Sequence, residues 1–232
     1  MIQTVLFDLD NTLIMKKPTL SEKVYELAVE AQPNLKFESV QKAYAASELW
    51  QGGQIKKENE TGVRMSDEEY LGNLMRIYRE HLPFSSAADA RLQKILMQDY
   101  EKEYCLSPRA KETLQYLKSK GLTLGIVSNN YGKIRQVLED LEIAGSFDII
   151  VISEEVGLFK PDPQLLNYAC AQLNPSSSAA ISIGDHPFDI LCAHSAGMPA
   201  VWMPENPFMT VPDEIGPAEH TIRSLDDLTK IL

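Results

Sequence analysis

From Pro108 onward the chain alternates between short apolar segments and segments of helical length, and this alternation restricts the fold more than any other feature. A helix over about 108–119 is predicted to stop at Lys120-Gly121, a cation followed by a glycine suited to the position after a helix end. A strand at 122–127, a helix at 131–141, a strand at 147–152, a helix at 163–173 and a strand at 179–183 follow. Pro187 opens a helix to about 196, and short strands near 199–202 and 220–222 end the series. Strands separated by helices of this length pair in parallel, with helices covering both faces of the sheet. Right-handed crossovers then make a doubly wound, Rossmann-like α/β sheet the expected fold. Residues 2–7, Ile-Gln-Thr-Val-Leu-Phe, add one more strand, apolar and without polar alternation, as a central parallel strand is.

The stretch between that first strand and Pro108 has a different character. Helical spacing is predicted around 20–31, 37–50, 67–81 and 87–104, with Tyr70, Leu71, Leu74, Met75 and Tyr78 as an example of the apolar face. Ser66-Asp-Glu-Glu69 resembles a capping box opening the third helix. The expected organisation is therefore a core of residues 1–14 and 106–232 with a helical insert, residues 15–105. Charge divides the same way. The insert holds 13 Lys+Arg and 15 Asp+Glu, whereas the remainder holds 9 and 18, within a net charge of −11. So acidic a surface repels polynucleotide backbones, so a nucleic-acid polymer is not an expected partner.

Cys105, Cys170 and Cys192 are widely spaced, which suits free thiols in a reducing compartment. The first residues lack a basic region and reach Asp8 too early for a signal peptide, and no apolar run has the length of a membrane span. A cytoplasmic protein without a membrane partner is expected. The sequence carries no sign of an oligomeric state.

In open α/β sheets, ligands bind beyond the carboxyl ends of the strands. The first strand ends in Asp8-Leu9-Asp10-Asn11-Thr12, the strand at 122–127 in Ser128-Asn129-Asn130, and the strand at 179–183 in Gly184-Asp185, with Asp189 four residues on. After the strand at 147–152 a loop carries Glu154, Glu155 and Lys160. Asp8 and Asp10 lie on the same side of an extended chain, where like charges are costly without a cation or a proton between them. Each group also has a plainer reading. The aspartates could end a strand, Ser128 could begin a turn, Lys160 could be a solvated loop lysine, and Asp189 could be the favoured acid at N3 of the helix begun by Pro187. Their common location at strand ends argues for function.

These residues resemble the four motifs of the haloacid dehalogenase-like hydrolase superfamily. DxDxT matches Asp8 to Thr12, the serine ending a core strand matches Ser128, the Lys-Pro pair matches Lys160-Pro161, and GDxxxD matches Gly184 to Asp189. The resemblance covers the whole chain, and the insert resembles the helical cap of the first cap subclass. Relatives that are true dehalogenases lack the second aspartate, so Asp10 points to the phosphatase type.

The resemblance implies that Asp8 is the nucleophile toward a small phosphorylated metabolite and that Asp10 is the general acid and base. Mg²⁺ would be held by Asp8, Asp185 and the backbone carbonyl of Asp10, with Asp189 in support. Ser128, Lys160 and the backbone amides of Leu9 and Asn129 would bind the phosphate. The cap is expected to select the leaving group, with the segment from Trp50 through Lys57 to Arg64 read as a loop. A phosphomutase or phosphotransferase would share these core residues. A receiver-type signalling domain is about half as long, and a non-catalytic phosphate-binding protein on this fold leaves the filled motifs unexplained.

Overall fold

A computed structural model of the protein describes residues 1–98, 100–173 and 179–232. The chain divides into two compact units. The first comprises Met1–Met15, Tyr104–Glu205 and Val211–Leu232, and the second comprises Lys16–Glu103 with Asn206–Thr210.

The first unit is built on a six-stranded sheet. Its strands are β1 (Thr4–Phe7), β4 (Thr123–Ser128), β5 (Ile149–Ile152), β6 (Ala180–Gly184), β7 (Ala200–Trp202) and β8 (His220–Thr221), in spatial order β5-β4-β1-β6-β7-β8. The paired strands run parallel. All four residues of β1 are buried because both of its faces are covered. Val5 and Phe7 pack with Leu114 and Leu117 of α5 (Ala110–Ser119) and with Leu225 and Leu228 of the C-terminal 3₁₀ segment. Leu6 points the other way, into the cluster formed by Leu165 and Leu166 of α8 (Gln164–Leu173) and Ile190 and Ala193 of α9 (Pro187–Ser195). A strand covered on both sides has no solvent face on which to place polar residues, hence its unbroken apolar run. The remaining helices of this unit are α6 (Ile134–Asp140) and the one-turn α7 (Ser153–Val156).

Register levels the strand ends. Phe7 lies opposite Ile126 on one side and Ile183 on the other. Asp8 follows Phe7, Ser128 is the last residue of β4, and Asp185 follows Gly184 at the end of β6, so the three gather at the same edge of the sheet.

The second unit contains α1 (Leu20–Ala31), α2 (Phe37–Thr61), α3 (Asp67–His81) and α4 (Asp89–Leu96), packed around Val24, Leu27, Val40, Leu74, Tyr78 and Leu92. The capping box at Ser66 and Glu69 is formed. Two expectations fail here. The segment from Trp50 to Arg64 is helix as far as Thr61, not loop, and ends at Gly62 with φ +68°. The Gly52-Gly53 pair argues against a helix at ~1 kcal/mol each, but tertiary packing overrides it. Gly52 is buried, Gln51 accepts the Tyr70 hydroxyl at 2.6 Å, and Trp50 packs at a tilt against the Tyr70 ring, with ring centres 5.2 Å apart, fastening this stretch to α3. The helix expected over 87–104 ends at Leu96. Its tail is instead strand β3 (Glu103–Leu106), which pairs with β2 (Ile14–Lys17) in a separate two-stranded sheet where the unit boundaries fall. Residue 99 of that expected helix lies outside the described residues.

Asn206–Thr210, which follows β7 and was expected in the core, groups with the helical unit. Asn206 donates to the Gln41 carbonyl at 2.7 Å, and the Lys42 ammonium lies 4.9 Å from the Phe208 ring centre. Among the described residues no helix is long and apolar enough to cross a membrane.

Candidate active site

The turn after β1 sets the first two carboxylates. Asp8 donates its amide to the Ile183 carbonyl at 2.7 Å, so it still belongs to the sheet. The chain then folds back, with Asn11 at φ +57° and the Leu9 carbonyl accepting the amides of Leu13 and Ile14 at 2.9 and 3.0 Å. Leu9 and Thr12 are fully buried beneath this turn. Along this turn Asp8, Asp10 and Asn11 stay only partly exposed.

Lys160 reaches the same place from the connection between β5 and α8. Its ammonium lies 2.5 Å from Asp8 Oδ1 and 2.7 Å from Asp189 Oδ1, and its side chain is only 8% exposed. Asp189 is the N3 residue of α9, where its second oxygen accepts the His186 amide at 3.0 Å. This geometry explains the glycine before Asp185. A Cβ on residue 184 would sit 2.2 Å from Asp189 Oδ2 and 2.6 Å from Asp189 Cβ, so only glycine leaves room for that carboxylate. Asp185 is steered through its backbone, since Trp202 Nε1 donates to the Asp185 carbonyl at 2.9 Å.

Carboxylate oxygens of Asp8, Asp185 and Asp189 lie within 4.8 Å of one another. Burial opposes the charge on Lys160, yet Asp189 and Asp8 outweigh it and hold the lysine charged well above its ordinary range. Burial, reinforced by Asp189 and Asp10, pushes the Asp8 carboxyl up to about 7 in spite of the pull from Lys160. The lysine rises because two carboxylates share one ammonium, whereas Asp8 rises first because burial penalises its charge by more than that shared ammonium offsets. The cluster is short of positive charge and offers only oxygen donors, a set that fits a hard divalent cation.

The two asparagines after β4 do more than sequence reasoning assigned them. Asn129, expected to contribute its backbone amide, also clamps the Lys160 peptide through its side chain. Its Nδ2 donates to the Lys160 carbonyl at 2.9 Å, and its Oδ1 accepts the Lys160 amide at 2.8 Å. Asn130, which was not among the expected site residues, donates from Nδ2 to Asp10 Oδ2 at 2.8 Å. The only advance signal was two adjacent amides at the end of a buried strand. Ser128 itself ends β4 and is buried.

Two other acids face elsewhere. Glu154 and Glu155 belong to α7 rather than to a loop; Glu154 accepts the Gly132 amide and Glu155 pairs with Arg135.

Residues 5–203 match the family described as haloacid dehalogenase-like hydrolase. The chain belongs to that family. It is 28% identical over 241 residues to a ribulose-1,5-bisphosphate 5-phosphatase from Halopiger xanaduensis, covering 100% of both chains. It is 28% identical over 202 residues to a phosphoglycolate phosphatase from Aquifex aeolicus, covering 84% of this chain and 82% of the other. Among solved structures, a putative HAD-hydrolase from Bacillus subtilis bound to magnesium aligns at a TM-score of 0.66 with 24% identity, over 100% of this chain and 98% of that one. This last likeness shows a shared haloacid dehalogenase-like fold.

Proposed function

We propose that this haloacid dehalogenase-like phosphatase is Mg²⁺-dependent and cleaves a small phosphomonoester through an aspartyl-phosphate on Asp8. The observation that carries the reading is the buried Asp8–Lys160 pair at 2.5 Å within an all-carboxylate cluster, with a second aspartate two residues on. Asp8, Asp185 and the carbonyl of Asp10 would hold Mg²⁺, which supplies charge neutralisation for the phosphoryl group. Asp189 supports that set from its place against Lys160.

Phosphoryl transfer demands positioning and charge balance above all. Lys160, Ser128 and the backbone amides of Leu9 and Asn129 hold the phosphate oxygens. Asp8 attacks phosphorus, the P–O bond to the alcohol breaks, and Asp10 gives a proton to the departing oxygen. Asp10, now a carboxylate, takes a proton from water as that water attacks the phosphorus of the aspartyl-phosphate; inorganic phosphate leaves and Asp8 is regenerated.

The relatives' names point to small phosphorylated metabolites as the substrate class. The test is phosphate release over a panel of such esters, ribulose-1,5-bisphosphate and phosphoglycolate included, with and without Mg²⁺. Turnover should need the metal, and Asp8→Asn should lower it by ~10³-fold or more. Near-normal turnover by Asp8→Asn in Mg²⁺ would refute the nucleophile assignment.

A further inference from the structure

We propose that Asn130 is the positioning residue for Asp10, fixing the acid–base carboxylate against the leaving-group oxygen. The inference rests on the phosphatase reading above and extends it to a residue outside the four motifs.

The orientation of the Asn130 amide is forced. Its Oδ1 accepts the Tyr131 backbone amide at 2.9 Å, and a backbone N–H can only donate. The NH₂ end must therefore face Asp10, where it donates to Oδ2 at 2.8 Å. The backbone of Asn130 is equally fixed. Its amide donates to Ser153 Oγ at 3.0 Å, the same hydroxyl donates back to the Asn130 carbonyl at 3.1 Å, and Glu154 adds its amide to that carbonyl at 3.3 Å. Ser153 is buried at the start of α7, directly after β5, so this anchor is part of the sheet edge. Asp10 by contrast sits on a turn past the end of β1. A charge-assisted bond from a rigid donor narrows the orientations open to its carboxylate.

Holding matters because proton donation is sensitive to placement: a displacement of about 1 Å costs on the order of 10²-fold in rate. The effect is confined to leaving groups that need the proton. An alkoxide does; p-nitrophenolate does not. The ratio of the two reactivities separates positioning of Asp10 from general damage to the site.

The experiment measures kcat/KM, which reports the steps up to the aspartyl-phosphate, for the Mg²⁺-loaded protein on two esters. One is the best alkyl phosphate from the panel and the other is p-nitrophenyl phosphate. Asn130→Asp keeps the shape and the acceptor for Tyr131 but replaces the donor with a carboxylate facing Asp10. It should lose ~10²-fold on the alkyl ester and no more than ~10-fold on the aryl ester. Asn130→Ala, read in the same way, covers the case in which the aspartate variant does not fold, and Asp10→Ala sets the full size of the difference. Equal losses on both esters, or wild-type values for Asn130→Asp, overturn the positioning role. If wild type and Asp10→Ala show the leaving-group difference and the Asn130 variants do not, only this inference falls. If wild type releases no phosphate from either ester in Mg²⁺, the phosphatase reading falls with it.

Discussion

Gly184→Ala is the most informative single perturbation, because its consequence follows from distances alone. The added Cβ would lie 2.2–2.6 Å from Asp189 Oδ2, Cγ and Cβ, where carbon contacts are ordinarily roughly 3.5–4.0 Å. Asp189 has nowhere to yield without loss. Its carboxylate holds Lys160 at 2.7 Å and the His186 amide at 3.0 Å, and turning it away breaks both bonds. Charge-assisted hydrogen bonds contribute ~1.5–3 kcal/mol each, so the substitution should cost ~3 kcal/mol or more. For a chain of this length that is about 6–12 °C in melting temperature. Lys160 also loses one of its two anchors, and kcat/KM on the preferred ester should fall by ~10²-fold. Thermal melts and phosphate release read the two effects separately. Asp189→Gly on the same background removes the atoms in conflict, so the double variant should be ~2 kcal/mol more stable than the sum of its parts. A Gly184→Ala protein that melts within about 1 °C of wild type, or effects that simply add, would refute the packing argument.

Two further outcomes follow from the charge and the amides. In metal-free protein the Asp8 carboxyl is pushed up to about 7, above its ordinary value of 3.8, so the folded state binds this proton more tightly than the unfolded state. The resulting stability is complete below about pH 4 and is lost as pH rises to about 7, on the order of 4 kcal/mol in all. Denaturant titrations in EDTA should show Asp8→Asn lacking this part of the pH slope, and parallel curves for the two proteins would contradict the shift. Asn129→Ala removes both side-chain bonds to the Lys160 peptide; it should cost ~2 kcal/mol and lower kcat/KM by ~10-fold, checked by thermal melts and ester kinetics. An unchanged melting temperature would show that the Lys160 loop is held by other means.

The parallel sheet was legible because its evidence is local and repeated. A strand such as Thr4–Phe7, buried on both faces, must be largely apolar, and the helices between strands must be long enough to return the chain. The helical unit was harder. Gly52-Gly53 is a sound local argument for a break, but it is overridden by Gln51 and Trp50 against Tyr70, nineteen or more residues away in the chain. The strand Glu103–Leu106 was hidden for the same reason, since its partner is Ile14–Lys17 at the other end of the insert. Asn206–Thr210 joined the helical unit through contacts to Gln41 and Lys42 that no spacing rule contains.

The chemistry-bearing groups and the groups that aim them were not equally readable, and the difference is physical. The proposed nucleophile, acid, lysine and metal carboxylates would have to be particular residue types at strand ends, so type and position together single them out as candidates. The aiming groups have a looser requirement: any donor or acceptor that reaches will serve. Asn129 reaches a peptide 31 residues on, and Asn130 reaches a carboxylate 120 residues back. The acidic surplus gains meaning at the same level. Lys160 is drawn between Asp8 and Asp189 and satisfies neither fully, so an anionic ester entering beside them would meet net negative charge. On the proposed reading, a bound cation offsets that charge and lets a protein of net charge −11 hold such an ester. The oxygen atoms of Asp8, Asp185 and Asp189, within 4.8 Å of one another, are the donors that would hold that cation.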